Sequence, residues 1–179
     1  TECIGHVTDD RVAVTDRIRG GIALALLVSL HPVAASSTGE DSDPLPAASD
    51  LLVTAESLER AFAAHPGPAP RALVVRTLPC NAARLTQAYR GSAPAAYLSR
   101  QAASWLVAHG IEHLVLDLPS ADRADDQGRL TAHRLFFGLP AGGRHAHDAV
   151  RPDVSITELA WVAPTIRDGW YMLDLQIPA

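Results

Sequence analysis

Residues 94–119 read PAAYLSRQAASWLVAHGIEHLVLDLP. The first part sets apolar residues at helical spacing, with Gly110 at the position favoured just past a helix end, and HLVLDLP (113–119) is a short apolar run of the buried-strand type. Outward from it, ALVVRTL (72–78) is a second such run. Before that, Thr54 caps AESLERAFAAH, with Ser57 where a capping box would carry Glu, and GPAPR ends the helix. Helix, strand, helix, strand in succession predicts an α/β architecture in which neighbouring strands are joined through helices.

The flanks extend this reading. RVAVTD (11–16) alternates apolar and polar residues, and IALALLVSLHP (22–32) is a continuous apolar run stopped by Pro32. Both are expected as strands of the central sheet, the second buried on both faces. Residues 33–50, rich in Ser, Asp and Pro, read as an exposed loop. Further on, RADDQGRL is a polar turn, TAHRLFFGL (131–139) a short amphipathic segment and residues 140–153 another loop; SITELAWV (155–162) and GWYMLDLQIP (169–178) are late β-type segments. No internal repeat interrupts the pattern.

Composition narrows the class. The chain of 179 residues has 47% hydrophobic and 20% charged residues, which fits one packed globular domain over 1–179. A net charge of -5 with scattered arginines excludes the basic patch of a nucleic-acid binder. Cys3 and Cys80 make neither a disulfide framework nor a C-x-x-C pair, so a reducing, cytoplasmic location is expected. Arg17 and Arg19 before GIALALLVSL, with VAASS behind it, imitate a secretory signal. The acids upstream and the length of about ten residues favour a buried strand, and a run that short does not span a bilayer, which takes roughly 20.

The polar residues that could carry chemistry are Glu2 and His6, four apart; Asp117, Ser120 and Asp122 in VLDLPSADR; His133; and Glu158. Asp117 falls at the carboxyl end of a strand, where α/β proteins place functional loops, while the simpler role for all three residues of that turn is to hydrogen-bond it and cap the next element. Glu158 sits within an apolar β-type segment. A buried carboxylate there needs a partner, and histidine with acidic residues around a divalent ion is one ordinary solution. His31, His65, His109, His113, His145 and His147 are read as hydrogen-bonded core or surface residues, with HAH (145–147) a solvated loop rather than a metal clip.

With these residues in view, the sequence resembles the cyclase family of metal-dependent hydrolases, which includes bacterial kynurenine formamidase and isatin hydrolase. The family's motif has the form H-x-G-T-H-x-D-x-P-x-H, and TECIGH (1–6) fits its second half: Glu2 stands at the metal-binding Asp, His6 at the last His, and Ile4 where many members have Pro. RTLPC (76–80), the opening stretch with its continuation through the D-x-P-S-x-D turn, GRLTAHRLFFG (128–138) and SITELAWV resemble later parts of the family in order.

The resemblance implies a swivelling β/β/α cyclase-like domain, a mixed sheet with flanking helices. It implies that Glu2, His133 and Glu158 are ligands of a divalent metal, zinc or manganese, that His6 is the catalytic proton donor and acceptor, and that His145 and His147 belong to an insertion. The expected activity is metal-dependent hydrolysis of a small amide, lactam or ester beside an aromatic ring, by an enzyme assembled as a homodimer or homotetramer with no membrane or nucleic-acid partner. The H-x-G-T-H part is not among the 179 residues. A chain truncated at its N-terminus, and at its C-terminus after MLDLQIPA, is the first expectation; a split protein and a remnant without metal are the others. The rival function is a non-catalytic cyclase-like subunit acting in assembly or ligand binding.

Overall fold

A computed structural model of the chain describes residues 1–18, 20–89 and 95–177. Arg19 of the signal-like stretch, Pro94 of the opening stretch and Pro178 and Ala179 at the end lie outside the described residues. In chain order the elements are α1 (Val14–Arg17), β1 (Gly21–Leu30), β2 (Val33–Ala34), β3 (Leu51–Val53), α2 (Ala55–Ala63), β4 (Ala72–Thr77), β5 (Tyr97–Leu98), α3 (Arg100–Ala108), β6 (His113–Leu116), α4 (Thr131–Phe137), β7 (Ser155–Thr157) and β8 (Gly169–Leu175).

The sheet is mixed and helix-flanked, as the resemblance implies. Five strands run in the order β7-β6-β4-β1-β8; the first four are mutually parallel and β8 is antiparallel to β1. A second sheet, β2-β3-β5, stands beside it. The parallel order follows from the helices, since each crossover needs an element long enough to return the chain. Alternate residues of the strands, Leu26, Val28 and Leu30, Leu73 and Val75, Leu114 and Leu116, share one core cluster with Leu58 of α2, Leu106 of α3 and Phe136 and Phe137 of α4. Leu106 and Phe136 are fully buried, and truncating either to Ala costs about 2–5 kcal/mol.

Helix ends follow their sequence signals. Thr54 accepts from Ser57 N and Ser99 from Ala102 N, so α2 and α3 both start on hydroxyl caps. Gly110, at φ 69°, takes the left-handed turn after α3, and Gly138, at φ 66°, does the same after α4. A Cβ at Gly138 would lie 2.5 Å from Val150 Cγ2.

Four segments differ from their sequence reading: Val33–Ala34, in the stretch read as an exposed loop, is β2, and Tyr97–Leu98, in the stretch read as helical, is β5. RVAVTD is not a strand: Asp16 Oδ2 accepts from Ala13 N at 3.1 Å, closing the helical turn α1, and Val12 and Val14 pack beside Cys3, Ile18 and Leu175. Local side-chain-to-backbone bonding overrides an alternation too short to demand a sheet. SITELAWV is strand only through Thr157; Leu159 adopts φ 55°, and its N–H and that of Ala160 reach the carbonyls of Leu118 and Leu116 outside the regular ladder, so Glu158 lies just past the strand end rather than at its centre. The signal-like GIALALLVSL is β1, paired on both sides and buried from Ala25 to Val28. Among the described residues no helix is long and apolar enough to cross a membrane.

Candidate metal centre

Asp122, at the end of the turn after β6, organises the site. Its Oδ1 accepts from Ala132 N at 2.6 Å and its Oδ2 from His133 N at 3.1 Å, so it caps the first turn of α4. The same Oδ2 lies 2.6 Å from His133 Nδ1. An ionised carboxylate only accepts, so Nδ1 carries a proton and Nε2 is the nitrogen turned toward the site. The ring is 1% exposed, and Phe137, one turn along the helix, packs beside it.

Two carboxylates arrive at Nε2 from distant parts of the chain. Glu2 pairs as an isolated antiparallel bridge with Ile156 of β7, through Glu2 N to Ile156 O at 2.7 Å and Ile156 N to Glu2 O at 3.3 Å. That bridge sets the N-terminal segment against the sheet edge, two residues short of Glu158 in register. Glu158 is held by Ala121 N, which donates to its Oε1 at 2.7 Å. As a result Glu2 Oε2 and Glu158 Oε1 each lie 3.4 Å from His133 Nε2. His6, on the turn Ile4–His6, places Nδ1 3.1 Å from Glu2 Oε2, with its ring centroid 5.0 Å from that of His133.

The electrostatics favour a positive charge at this point. Burial would push the His133 imidazolium down, but Asp122, hydrogen-bonded at Nδ1, and the carboxylates of Glu158 and Glu2 beside Nε2 raise its pKa to about 11. Burial would likewise raise the Glu2 carboxyl, yet His133 together with Glu158 and His6 holds it down to about 2. Even so, Glu2 Oε2 and His133 Nε2 are buried without a hydrogen-bond partner. Orphaned buried polar atoms are costly; 3.4 Å leaves these two without a hydrogen bond, and a divalent cation that displaced the Nε2 proton would satisfy both. One atom each from Glu2, His6 and His133 can be drawn within 4.8 Å of one another. A nitrogen-and-carboxylate donor set of this kind suits a divalent metal.

The structure therefore brings Glu2, His6, His133 and Glu158 together from opposite ends of the sequence. Asp117 is elsewhere: it accepts from Thr77 N and Thr77 Oγ1 and pairs with Arg84, a structural tie between β4 and β6. Ser120 accepts from Asp122 N and shapes the turn. Asp122, weighed in the sequence with Asp117 and Ser120 as a candidate whose simpler role is to bond the turn and cap the next element, has the further task of orienting His133, which no sequence signal announced. A cleft of about 270 Å³ lies near the end of β6, lined by Cys80, Arg84, Asp117, Leu159 and Trp161 among others. None of Glu2, His6 or His133 lines it, so the chemistry is not placed there.

A family model described as "Putative cyclase" matches residues 1–123. A solved structure of a potential metal-dependent hydrolase with cyclase activity shares the fold at TM-score 0.53 and 14% identity, over 93% of this chain and 63% of that one. A second, of a predicted metal-dependent hydrolase from Bacillus stearothermophilus, aligns at TM-score 0.47 and 13% identity over 84% of this chain and 53% of that one. The chain thus spans less than two thirds of the length of either. No curated protein sequence matches it significantly.

Proposed function

The chain belongs to the cyclase family, whose model matches residues 1–123 of its 179, and from that membership we propose a metal-dependent hydrolase of a small amide, lactam or ester. Glu2, His133 and Glu158 would hold the cation, and His6 would move the proton. The observation that carries this reading is the buried, unpartnered Nε2 of His133, aimed between Glu2 and Glu158 by the Asp122 carboxylate.

A bound zinc or manganese ion supplies Lewis acidity toward a carbonyl and makes water a usable nucleophile near neutral pH. The chain's own residues do the rest. Asp122 keeps His133 in one tautomer and one orientation. His6 turns Nδ1 toward Glu2 at 3.1 Å, which orients the ring and leaves its other nitrogen to act as the base. Its side chain is 46% exposed, so water and a small substrate can reach it, and it can take a proton from water and return it to the leaving nitrogen or oxygen. Cys3 is buried beside Ile18 and Leu175 and takes no part.

The test is hydrolysis of N-formylkynurenine and isatin with added zinc or manganese, alongside elemental analysis of the purified protein. Turnover that depends on added metal supports the enzyme. Absence of any firmly bound transition metal after loading would instead favour the non-catalytic subunit. A homodimer or homotetramer is the assembly proposed for either role.

A further inference from the structure

The HAH loop, which the hydrolase reading leaves unused, makes a compact set of contacts with the segment that carries Glu2 and His6. Asp10 spends both oxygens on it: Oδ1 lies 3.0 Å from His145 Nδ1, and Oδ2 accepts from Ala146 N at 2.7 Å. Next to it, Asp9 N donates to Arg144 O at 2.8 Å, and Arg144 Nε donates to Asp9 Oδ2 at 2.7 Å. The loop side is itself fixed. Asp148 Oδ2 accepts from the backbone N–H of both Arg144 and His145, and Ala146 is 4% exposed within the main core.

The N-terminal segment is held at its start by the Glu2–Ile156 bridge and in its middle by buried Ile4 and Val7. His6 lies beyond Ile4, half exposed, on a turn with no side-chain cap. Past buried Val7, which closes that turn, the segment is tied again by the run Asp9–Asp10 against Arg144–Ala146. We propose that Asp10 and His145 are a positioning pair, a latch that holds the turn of Ile4–His6 so that His6 and Glu2 face His133. This rests on the reading of Glu2 and His133 as cation ligands, and it assigns to the loop between α4 and β7 a role in presenting the proton-transfer group.

The charges around His145 give the latch a pH signature. Asp10 on the N-terminal segment, then Asp148 and Asp9, raise its pKa above 6.5. Arg144 neighbours it in sequence, and His147 stacks on it at 5.3 Å between ring centroids. A raised histidine pKa means that the charged pairing is fully present below the unfolded value and is lost as pH rises through the folded one. Both groups are exposed, so each contact is individually weak and the effect is on local opening rather than global stability.

Amide hydrogen exchange of residues 2–8 reads the latch without metal, and zinc affinity by chelator competition reads its consequence. Asp10→Asn and His145→Gln should each speed exchange of that segment by about threefold to tenfold and weaken zinc by a similar factor, with exchange of β4 and α3 unchanged. Wild-type exchange, corrected for the intrinsic rate, should rise as pH climbs past the ordinary histidine range, while His145→Arg, charged throughout, should stay protected. Unchanged exchange in both Asp10→Asn and His145→Gln overturns the latch. If the wild type binds no zinc, the hydrolase reading fails while the exchange measurements still decide the latch.

Discussion

Asp122 Oδ2 accepts from His133 Nδ1 at 2.6 Å while the same carboxylate takes the first free N–H groups of α4. One side chain thereby starts the helix and aims the ring that the helix carries. Replacing it tests both tasks at once. Asp122→Asn keeps an acceptor but loses the charge that favours the Nδ1–H tautomer, and should weaken zinc about 10–100-fold with little loss of stability. Asp122→Ala should weaken zinc as much and also remove the cap, about 1–2 kcal/mol in denaturant unfolding. Equal metal affinity in wild type and Asp122→Asn would sink the orienting role.

The orphaned atoms of the centre predict a stability response to metal. At about 100 times its dissociation constant, a ligand bound only to the folded state adds ~2.7 kcal/mol, a rise of about 5–10 °C in Tm for a domain of this size. Zinc should give that rise in the wild type, and it should vanish in His133→Gln and shrink in Glu2→Gln and Glu158→Gln. Differential scanning calorimetry with and without chelator checks it.

His6 separates binding from chemistry. It touches Glu2 but is half exposed, so His6→Ala should leave the zinc-induced rise in Tm largely in place. A positioned proton shuttle is worth about 10²–10⁴-fold, so kcat should fall by that factor. Retained activity in His6→Ala would assign the proton transfer to another group.

How much of this was legible in the sequence depends on the range of the forces involved. GIALALLVSL, ALVVRTL and HLVLDLP announced their strands because long apolar runs are buried whatever their neighbours, and Thr54 announced α2 because its cap is a local bond. Leu51–Val53 passed unread and Tyr97–Leu98 was read into the helix that follows it; two or three residues show no period, and their pairing is decided by partners 45 residues away. RVAVTD misled because Asp16 bonds its own turn. In the site, Glu2, His6, His133 and Glu158 could be named by residue type and resemblance, but their meeting depends on the Glu2–Ile156 bridge and on Ala121 N holding Glu158, neither of which has a sequence signature. Asp122 was visible as a cap; that it also turns a histidine ring depends on α4 bringing His133, eleven residues further on, back against the turn.

Arg76, in RTLPC, marks another limit, and its replacement gives a large predicted effect. Its side chain is 7% exposed and tied to Asp168 Oδ1 at 2.8 Å, Ser29 Oγ at 2.8 Å and the carbonyls of Ala163 and Ile166. Asp168 in turn accepts from Ser29 N and Oγ. Arg76→Met should cost about 3–5 kcal/mol, because Asp168 and two carbonyls lose their donor in a mostly buried setting. The double variant Arg76→Met, Asp168→Leu should recover part of it, and strictly additive losses in urea unfolding would show that the two do not act as a pair.

The alkaline limit of stability should come from Tyr97. It is 1% exposed on β5, and its hydroxyl donates to Asp50 Oδ2 at 2.8 Å, while Arg123 Nε stands 3.1 Å from the same carboxylate. Burial, then the hydrogen bond and charge of Asp50, raise the phenol pKa far above 10, with Arg123 opposing only in part. The folded pKa is above the unfolded one, so the contribution is complete below about pH 10 and is lost as pH rises beyond it, because the unfolded chain releases a proton that the folded chain retains. Tyr97→Phe should cost about 1–2 kcal/mol at neutral pH, since Asp50 loses a donor but keeps Arg123. Above pH about 10 the variant's stability should fall less steeply than that of the wild type, and equal slopes in urea titrations across that range would remove Tyr97 as the cause.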